Sequence, residues 1–182
     1  MAFRKLINCL ACNSKNLKQV LNLNKQPLAN SFLIKKNSKE KKYDLKVNCC
    51  LNCTHLQLSL SVDPKIIYTK YDYVSGTTST YKNYMKEFFK FCLKNTNKIK
   101  YKKILDIGCN DGSQLDVFKR NKFNTFGVDP AKNIYKISSK KHKIFCEFFN
   151  DHFVKKTNQK FDIIISQNSF AHNPNPKKFL EN

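Results

Sequence analysis

The residues best placed for chemistry sit in "KKILDIGCNDGSQL", residues 102–115. An apolar run there ends on Asp106, and Gly108 and Gly112 follow four apart in a chain with only four glycines. A strand ending on a carboxylate, a glycine that permits a sharp turn and a second that lets the next helix and a ligand approach the backbone together make a cofactor shelf. A dinucleotide fingerprint needs glycines at relative positions 1, 3 and 6; the chain has Gly108, Asn110 and Ser113, which disfavours NAD. Asp129 in "FGVDP", twenty-one residues after Gly108, ends the next strand, where a carboxylate accepts hydrogen bonds from ribose hydroxyls. Phe148 and Phe149 after the third strand are candidates to flank an adenine ring, with ordinary core packing the competing reading.

A second chemistry belongs to cysteine. Of eight, four form close pairs, "CLAC" with Cys9 and Cys12 and "CLNC" with Cys50 and Cys53. Two such knuckles, thirty-seven residues apart, can close a tetrahedral four-sulfur shell around Zn²⁺. With sulfur in all four positions no open site remains, so the metal is expected to be structural, holding together a segment too short to bury much by itself. Cys49 leaves the register open and His55 is an alternative ligand; Cys50 is preferred because it restores the two-residue spacing. Cys92, Cys109 and Cys146 stand apart and read as small apolar residues.

The elements that must position these groups fall into three parts. Residues 1–60 form a small zinc-binding domain with a lysine-rich middle, "IKKNSKEKKYD", and a strand in "THLQLSL". Residues 61–100 are a tyrosine-rich linker and a helix with Tyr84, Phe88, Phe91 and Cys92 on one face. From residue 101 to 182 strands alternate with helices: "KKILDIG", "NTFGVD", "HKIFCEFF" and "FDIIISQ", the last followed by "NPNPKKFLEN". That alternation predicts an α/β fold, a doubly wound parallel sheet covered on both faces.

Composition narrows the function. A formal net charge of +21 gathers phosphates through counterion release, so the alternative function is a non-catalytic zinc module with a basic nucleic-acid-binding surface. Arginine, which base readout and phosphate clamps favour, occurs only at positions 4 and 120. Lys, Asn, Ile, Phe and Tyr are enriched while Gly, Ala and Arg are scarce, the imprint of an AT-rich coding sequence. Scattered lysine reads as solvated surface, so nucleic acid is not the expected partner. No apolar run approaches eighteen residues and "MAFRKLINCLAC" carries no convincing export signal, which gives the expectation of a cytoplasmic chain without membrane contact.

The pattern D-x-G-x-N-x-G resembles the first motif of class I S-adenosylmethionine-dependent methyltransferases, where the middle residue is commonly glycine. Asn110 departs from it but tolerates the left-handed backbone, so the turn is kept. The resemblance implies a methionine carboxylate near free N–H groups at Gly112 and Ser113. Together "CLAC", "LNLNKQPLANSFL", "CCLNCTHLQL", "YDYVSGTTSTY", "ILDIGCNDGSQL", "GVDPAKNI" and "SQNSFAHNPNPKKFL" resemble, in this order, the sugar C-methyltransferases. These methylate C-3 or C-5 of nucleotide-linked 4-keto-6-deoxy sugars and carry an N-terminal zinc-binding domain. The implied reaction removes a proton next to the ketone and transfers methyl to that carbon. His172 matches the family's histidine and is the candidate for acid/base work; Tyr71 and Tyr73 match its tyrosine-rich segment and are candidates to orient the sugar. Gln167 and Asn168 are expected to line the cofactor or sugar pocket.

The methyltransferase sheet of that class normally has seven strands, and four are legible here. The family's further Glu-His pair and catalytic tyrosine are not matched. The expectation is therefore an N-terminal portion, poorly active alone, with an unpaired strand edge and a possible second chain completing it.

Overall fold

The computed structural model describes residues 2–33, 35 and 39–182, so Ile34, Lys36, Asn37 and Ser38 of the lysine-rich middle lie outside the described residues. The chain divides into two compact units, Met1–Ile67 with Pro174–Glu181, and Tyr68–Asn173 with Asn182.

In the first unit β1 (Phe3–Lys5), β2 (Leu17–Pro27), β3 (Lys42–Cys50), β4 (Leu56–Leu58) and β5 (Leu60–Val62) precede a short helix, α1 (Pro64–Tyr68). β2, β3 and β4 form an antiparallel sheet and β1 pairs with β5. The segment "THLQLSL", expected as one strand, is two. Ser59 N–H donates to Lys46 O while Ser59 O accepts from Leu6 N–H, both at 2.9 Å, so the chain changes partner at that residue. The β2–β3 hairpin escapes a period-two reading because its register shifts twice, between Gln19 and Leu21 and between Asn22 and Lys25. Among the described residues of this unit only Leu6, Cys9, Cys50, Gln57 and Val62 are buried, few for a core that stands without a staple.

The second unit runs α2 (Ser79–Lys94), β6 (Lys103–Ile107), α3 (Ser113–Arg120), β7 (Asn124–Val128), α4 (Lys132–Ser138), β8 (Lys143–Phe145), α5 (Asp151–Thr157) and β9 (Ile163–Ile165). Its strands are all parallel, in the order β8-β7-β6-β9. This is the doubly wound order, with its switch point between β6 and β9, where ligands settle at the carboxyl ends of the strands. β6 is buried from Ile104 to Ile107, as a central parallel strand must be. The final helix, α6 (Pro176–Glu181), clusters with the first unit rather than with the sheet it was expected to follow.

α2 is part of the sheet unit's core, and of the four residues expected on one face Cys92 is buried and Phe88 partly buried. Met85, Phe89 and Cys92 point inward, whereas Tyr84 and Phe91 are 46% and 61% exposed. Tyr81, Tyr84, Phe88 and Phe91 stack in a ladder with ring centroids 5.6 to 6.2 Å apart, Tyr81 and Phe88 partly buried against the core and Tyr84 and Phe91 exposed. Inside, Phe89, Phe118 and Phe123 meet edge to face, with centroids 4.9 Å (Phe89–Phe118) and 5.4 Å (Phe118–Phe123) apart. Cys92 and Cys109 are packed here as apolar residues; a Cβ at Gly127 would lie 2.5 Å from the Cys109 sulfur, so a side chain at that strand position would displace it. Phe118, with no exposed surface, ties α3 to α2 and β7. Phe118→Ala is expected to cost about 3–5 kcal/mol of stability, read as a fall in the urea midpoint.

Candidate functional site

The sulfurs of Cys9, Cys12, Cys50 and Cys53 lie within 4.8 Å of one another, with Cys9–Cys53 and Cys12–Cys50 each at 3.6 Å. A tetrahedron built on Zn–S bonds of about 2.3 Å has edges of about 3.8 Å, so the set fits zinc. The two knuckles share one backbone design. Asn13 N–H closes on Cys9 O at 2.9 Å and Thr54 N–H on Cys50 O at 2.8 Å, and Asn13 and Thr54 both adopt left-handed φ, 62° and 60°. Cys49 and His55 stand outside the cluster. Gln57, buried on β4, holds the first knuckle: its amide oxygen accepts from Leu10 N–H at 2.7 Å and its nitrogen donates to Asn8 O at 3.0 Å. Burial opposes ionisation of Cys50, but the N–H groups of Asn52 and Cys53 and the Cys12 thiol outweigh it and bring its pKa down to about 6. For Cys53 the N–H of His55 favours the thiolate, yet the Cys12 thiol, burial and the other two sulfurs push it up to about 12. Four crowded thiols thus share their protons, and a divalent cation lets all four ionise.

The glycine corner is built as a left-handed relay. Gly108, Asn110 and Gly112 have φ of 76°, 47° and 79°. Gly108 N–H donates to Val128 O at 2.8 Å, and Asp129 takes Asn110 N–H on Oδ2 and Ala131 N–H on Oδ1, both at 2.9 Å. One carboxylate therefore ties the loop after β6 to the loop after β7, and each oxygen keeps a second lone pair for a ligand hydroxyl. The N–H groups of Gly112 and Ser113, expected to be free, are used within the loop: the first goes to Cys109 O at 3.0 Å and the second to Asp111 Oδ1 at 3.1 Å. The close approach at Gly112 is made by a side chain. A Cβ there would lie 2.7 Å from the His142 ring, whose Nδ1 is hydrogen-bonded with Thr125 Oγ1 at 2.8 Å. At Gly108 the neighbour is Ser169, whose hydroxyl donates to Ile107 O at 2.6 Å and so closes the loop after β9 onto the corner.

Asp106 is fully buried at the end of β6. Burial, and then the charge of Asp129, push its pKa up to about 7. Burial also raises Asp129, against the pull of the Ala131 and Asn110 N–H groups. Neither forms an ion pair among the described residues. In a chain with a net charge of +21 this corner is an acidic hole that suits a cationic ligand.

The candidate substrate residues form a chain of aromatic rings. His172, exposed in a 3-10 turn after β9, has its ring 6.2 Å from Tyr68; Tyr68 lies 5.9 Å from Tyr71, and Tyr71 lies 6.4 Å from Tyr73. Tyr68 thus joins the three candidate substrate residues, a link the sequence reading missed. So is Tyr81: burial raises its phenol, and a hydrogen bond with the Asn168 side chain draws it back. Asn168 adopts φ 53°, while the half-buried Gln167 has an amide nitrogen enclosed without a hydrogen-bond partner among the described residues. Phe149 is half-buried with its ring 5.6 Å from Phe153, a core contact. The one sequence signal for Tyr68 and Tyr81 was their place at either end of a tyrosine-rich stretch.

Removing metal with a strong chelator is expected to strip about one zinc per chain and to lower the melting temperature. In Cys50→Ser, zinc content measured by atomic emission should fall well below that of wild type.

The chain matches the profile of a zinc binding domain over residues 9–68 and that of a methyltransferase domain over residues 78–182. It is similar to the C-methyltransferase NovU of Streptomyces niveus, 23% identical over 133 residues, which are 72% of this chain and 32% of that protein. The chain therefore spans about a third of the length of this curated relative. Among solved structures it is similar to the plantazolicin methyltransferase BpumL in complex with SAH, at 24% identity, 55% of this chain, 40% of that chain and a TM-score of 0.45. It is also similar to magnesium protoporphyrin IX methyltransferase of Synechocystis PCC 6803 with bound SAM, at 13% identity, 52% of this chain, 47% of that chain and a TM-score of 0.41. With the second profile covering more than half of its residues and the first lying ahead of it, the chain belongs to the methyltransferase-domain family and carries a zinc-binding region.

Proposed function

We propose that this chain binds S-adenosylmethionine at the Gly108–Gly112 corner and serves methyl transfer to carbon of a nucleotide-linked 4-keto-6-deoxy sugar. The observation that carries the cofactor reading is the pair Asp106 and Asp129, buried at the carboxyl ends of adjacent parallel strands beside the switch point and without a cationic partner among the described residues. Asp129 accepts the ribose hydroxyls on its remaining lone pairs, Asp106 offers its charge to a cationic ligand, and Phe149 flanks the adenine. When bound, the cofactor supplies a methyl group on a positively charged sulfur, ready for in-line attack by carbon. The sugar reading draws on the likeness to NovU and on the ring chain His172–Tyr68–Tyr71–Tyr73.

In that reading the His172 imidazole takes the proton from the carbon beside the ketone, which requires a pKa near working pH and hydrogen-bond reach. The phenols of Tyr71 and Tyr73 donate to the ketone oxygen, where negative charge develops as the proton leaves. Gln167 and Asn168 line the wall after β9. The zinc site holds the first unit together and takes no part in the chemistry.

Calorimetry is expected to detect S-adenosylmethionine binding to the wild type, weakened at least about tenfold in Asp129→Ala. A cation beside Asp106 favours its ionised form, so binding should release a proton and tighten as pH rises through about 7, with Asp106→Asn losing that dependence. For the sugar, deuterium exchange at the carbon beside the ketone, followed by NMR with a nucleotide-linked 4-keto-6-deoxyhexose, should depend on His172 and fail in His172→Ala. Exchange that survives this change removes His172 from the role of base.

A further inference from the structure

The segment from Thr69 to Gly76 is held to the sheet unit through its backbone. Thr69 O accepts from Lys132 N–H at 3.0 Å. Tyr71 is gripped twice by one side chain: its N–H donates to Asn133 Oδ1 at 3.1 Å and its carbonyl accepts from Asn133 Nδ2 at 2.8 Å. Asn110 repeats the device, donating from Nδ2 to Tyr73 O at 3.0 Å and accepting Ser75 N–H on Oδ1 at 3.0 Å. Gly76 N–H donates to Asp111 Oδ2 at 3.0 Å, and that carboxylate also takes the Ser113 hydroxyl at 2.8 Å. A Cβ at Gly76 would run into the Ser113 hydroxyl and the Asp111 carboxylate, so glycine lets the strap lie against this anchor. Every anchor comes from the residues just past β6 or β7, the ends that carry Asp106 and Asp129.

An asparagine amide offers one acceptor and two donors in a plane, so it can stand in for a backbone partner on both sides. At position 110 this does more than tolerate a left-handed turn. The Asn110 backbone N–H is bound to Asp129 Oδ2, and its side chain is bound to the strap. The carboxylate assigned to the ribose and the peptide that carries Tyr71 and Tyr73 are therefore two bonds of one residue apart.

We propose that Asn110 and Asn133 are positioning residues that couple the cofactor corner to the Thr69–Gly76 strap, so that the cofactor-bound loop sets where Tyr71 and Tyr73 stand. This rests on the reading of the corner as the S-adenosylmethionine site. A ligand that fixes Asp129 fixes the Asn110 backbone, and with it the amide plane that holds Tyr73 and Ser75. Asn133 fixes the other end of the strap from α4.

The test uses the full chain and amide hydrogen exchange of peptides covering residues 70–78. Asn110→Gly keeps the turn and the N–H to Asp129 but removes both strap bonds. Without ligand, strap exchange is expected to quicken roughly tenfold, and the ligand arm is read at saturating S-adenosylmethionine. In the wild type, S-adenosylmethionine should slow strap exchange; in Asn110→Gly it should bind without slowing it. Asn133→Ala should free the strap around Tyr71 and weaken the same response. Unchanged strap exchange in Asn110→Gly, or ligand protection that persists in it, overturns the coupling. Binding to the wild type with no effect on the strap sinks the coupling alone; no binding to the wild type sinks the site reading and the coupling with it, while exchange without ligand still reads the tether.

Discussion

A single buried carboxylate sets the geometry of the glycine corner. Asp129 is 8% exposed, and leaving it unpaired there would cost more than an ordinary hydrogen bond returns. It is satisfied by Asn110 N–H from one loop and Ala131 N–H from its own, so the ends of β6 and β7 are locked in register beyond the sheet itself. The loop carrying that N–H turns left-handed at Gly108, Asn110 and Gly112, which glycine and asparagine tolerate. Asp106 then lies one strand over, in a setting dry enough to hold its proton to about 7. The loop after β9 closes on the same corner through Ser169, and the tyrosine strap closes on it through Asn110 and Asp111.

The two units keep their shape by different means. In the sheet unit, a Phe89–Phe118–Phe123 cluster and a parallel sheet whose two inner strands, β6 and β7, are buried supply ordinary hydrophobic stability. In the first unit the three-stranded sheet leaves Val20, Leu21, Leu23, Leu56 and Leu58 about half exposed. There, four sulfurs and the buried Gln57 do what a core cannot, since metal affinity becomes folding free energy only if the ligands are deprotonated and close together. The four sulfurs lie within 4.8 Å of one another, close enough for one cation to take all of them.

Much of this was legible in the sequence where a single residue type has a single backbone use. Glycines at 108 and 112, an acid at each strand end and paired cysteines each state a local requirement that spacing reveals. What stayed hidden depends on partners distant in the chain. Asn110 was legible as a turn residue, but its side-chain partners lie 35 and 37 positions away, and those of Asn133 lie 62 away. The face of α2 was read half right: Cys92 belongs to the stripe of Tyr84, Phe88 and Phe91 and is buried, but Met85 and Phe89 at the same helical spacing share its inward side, while Tyr84 and Phe91 are exposed. The β2–β3 hairpin was lost to its bulges, and α6 carries an amphipathic pattern that does not say which unit it serves.

The most direct measurement is a crystal structure of the chain grown with S-adenosylhomocysteine. The account predicts both ribose hydroxyls within about 2.6–3.0 Å of the Asp129 carboxylate, with Asn110 N–H still in place on Oδ2. A nucleoside bound away from the β6–β7 ends, or an Asp129 that keeps its two backbone bonds and touches no part of the ligand, would contradict it.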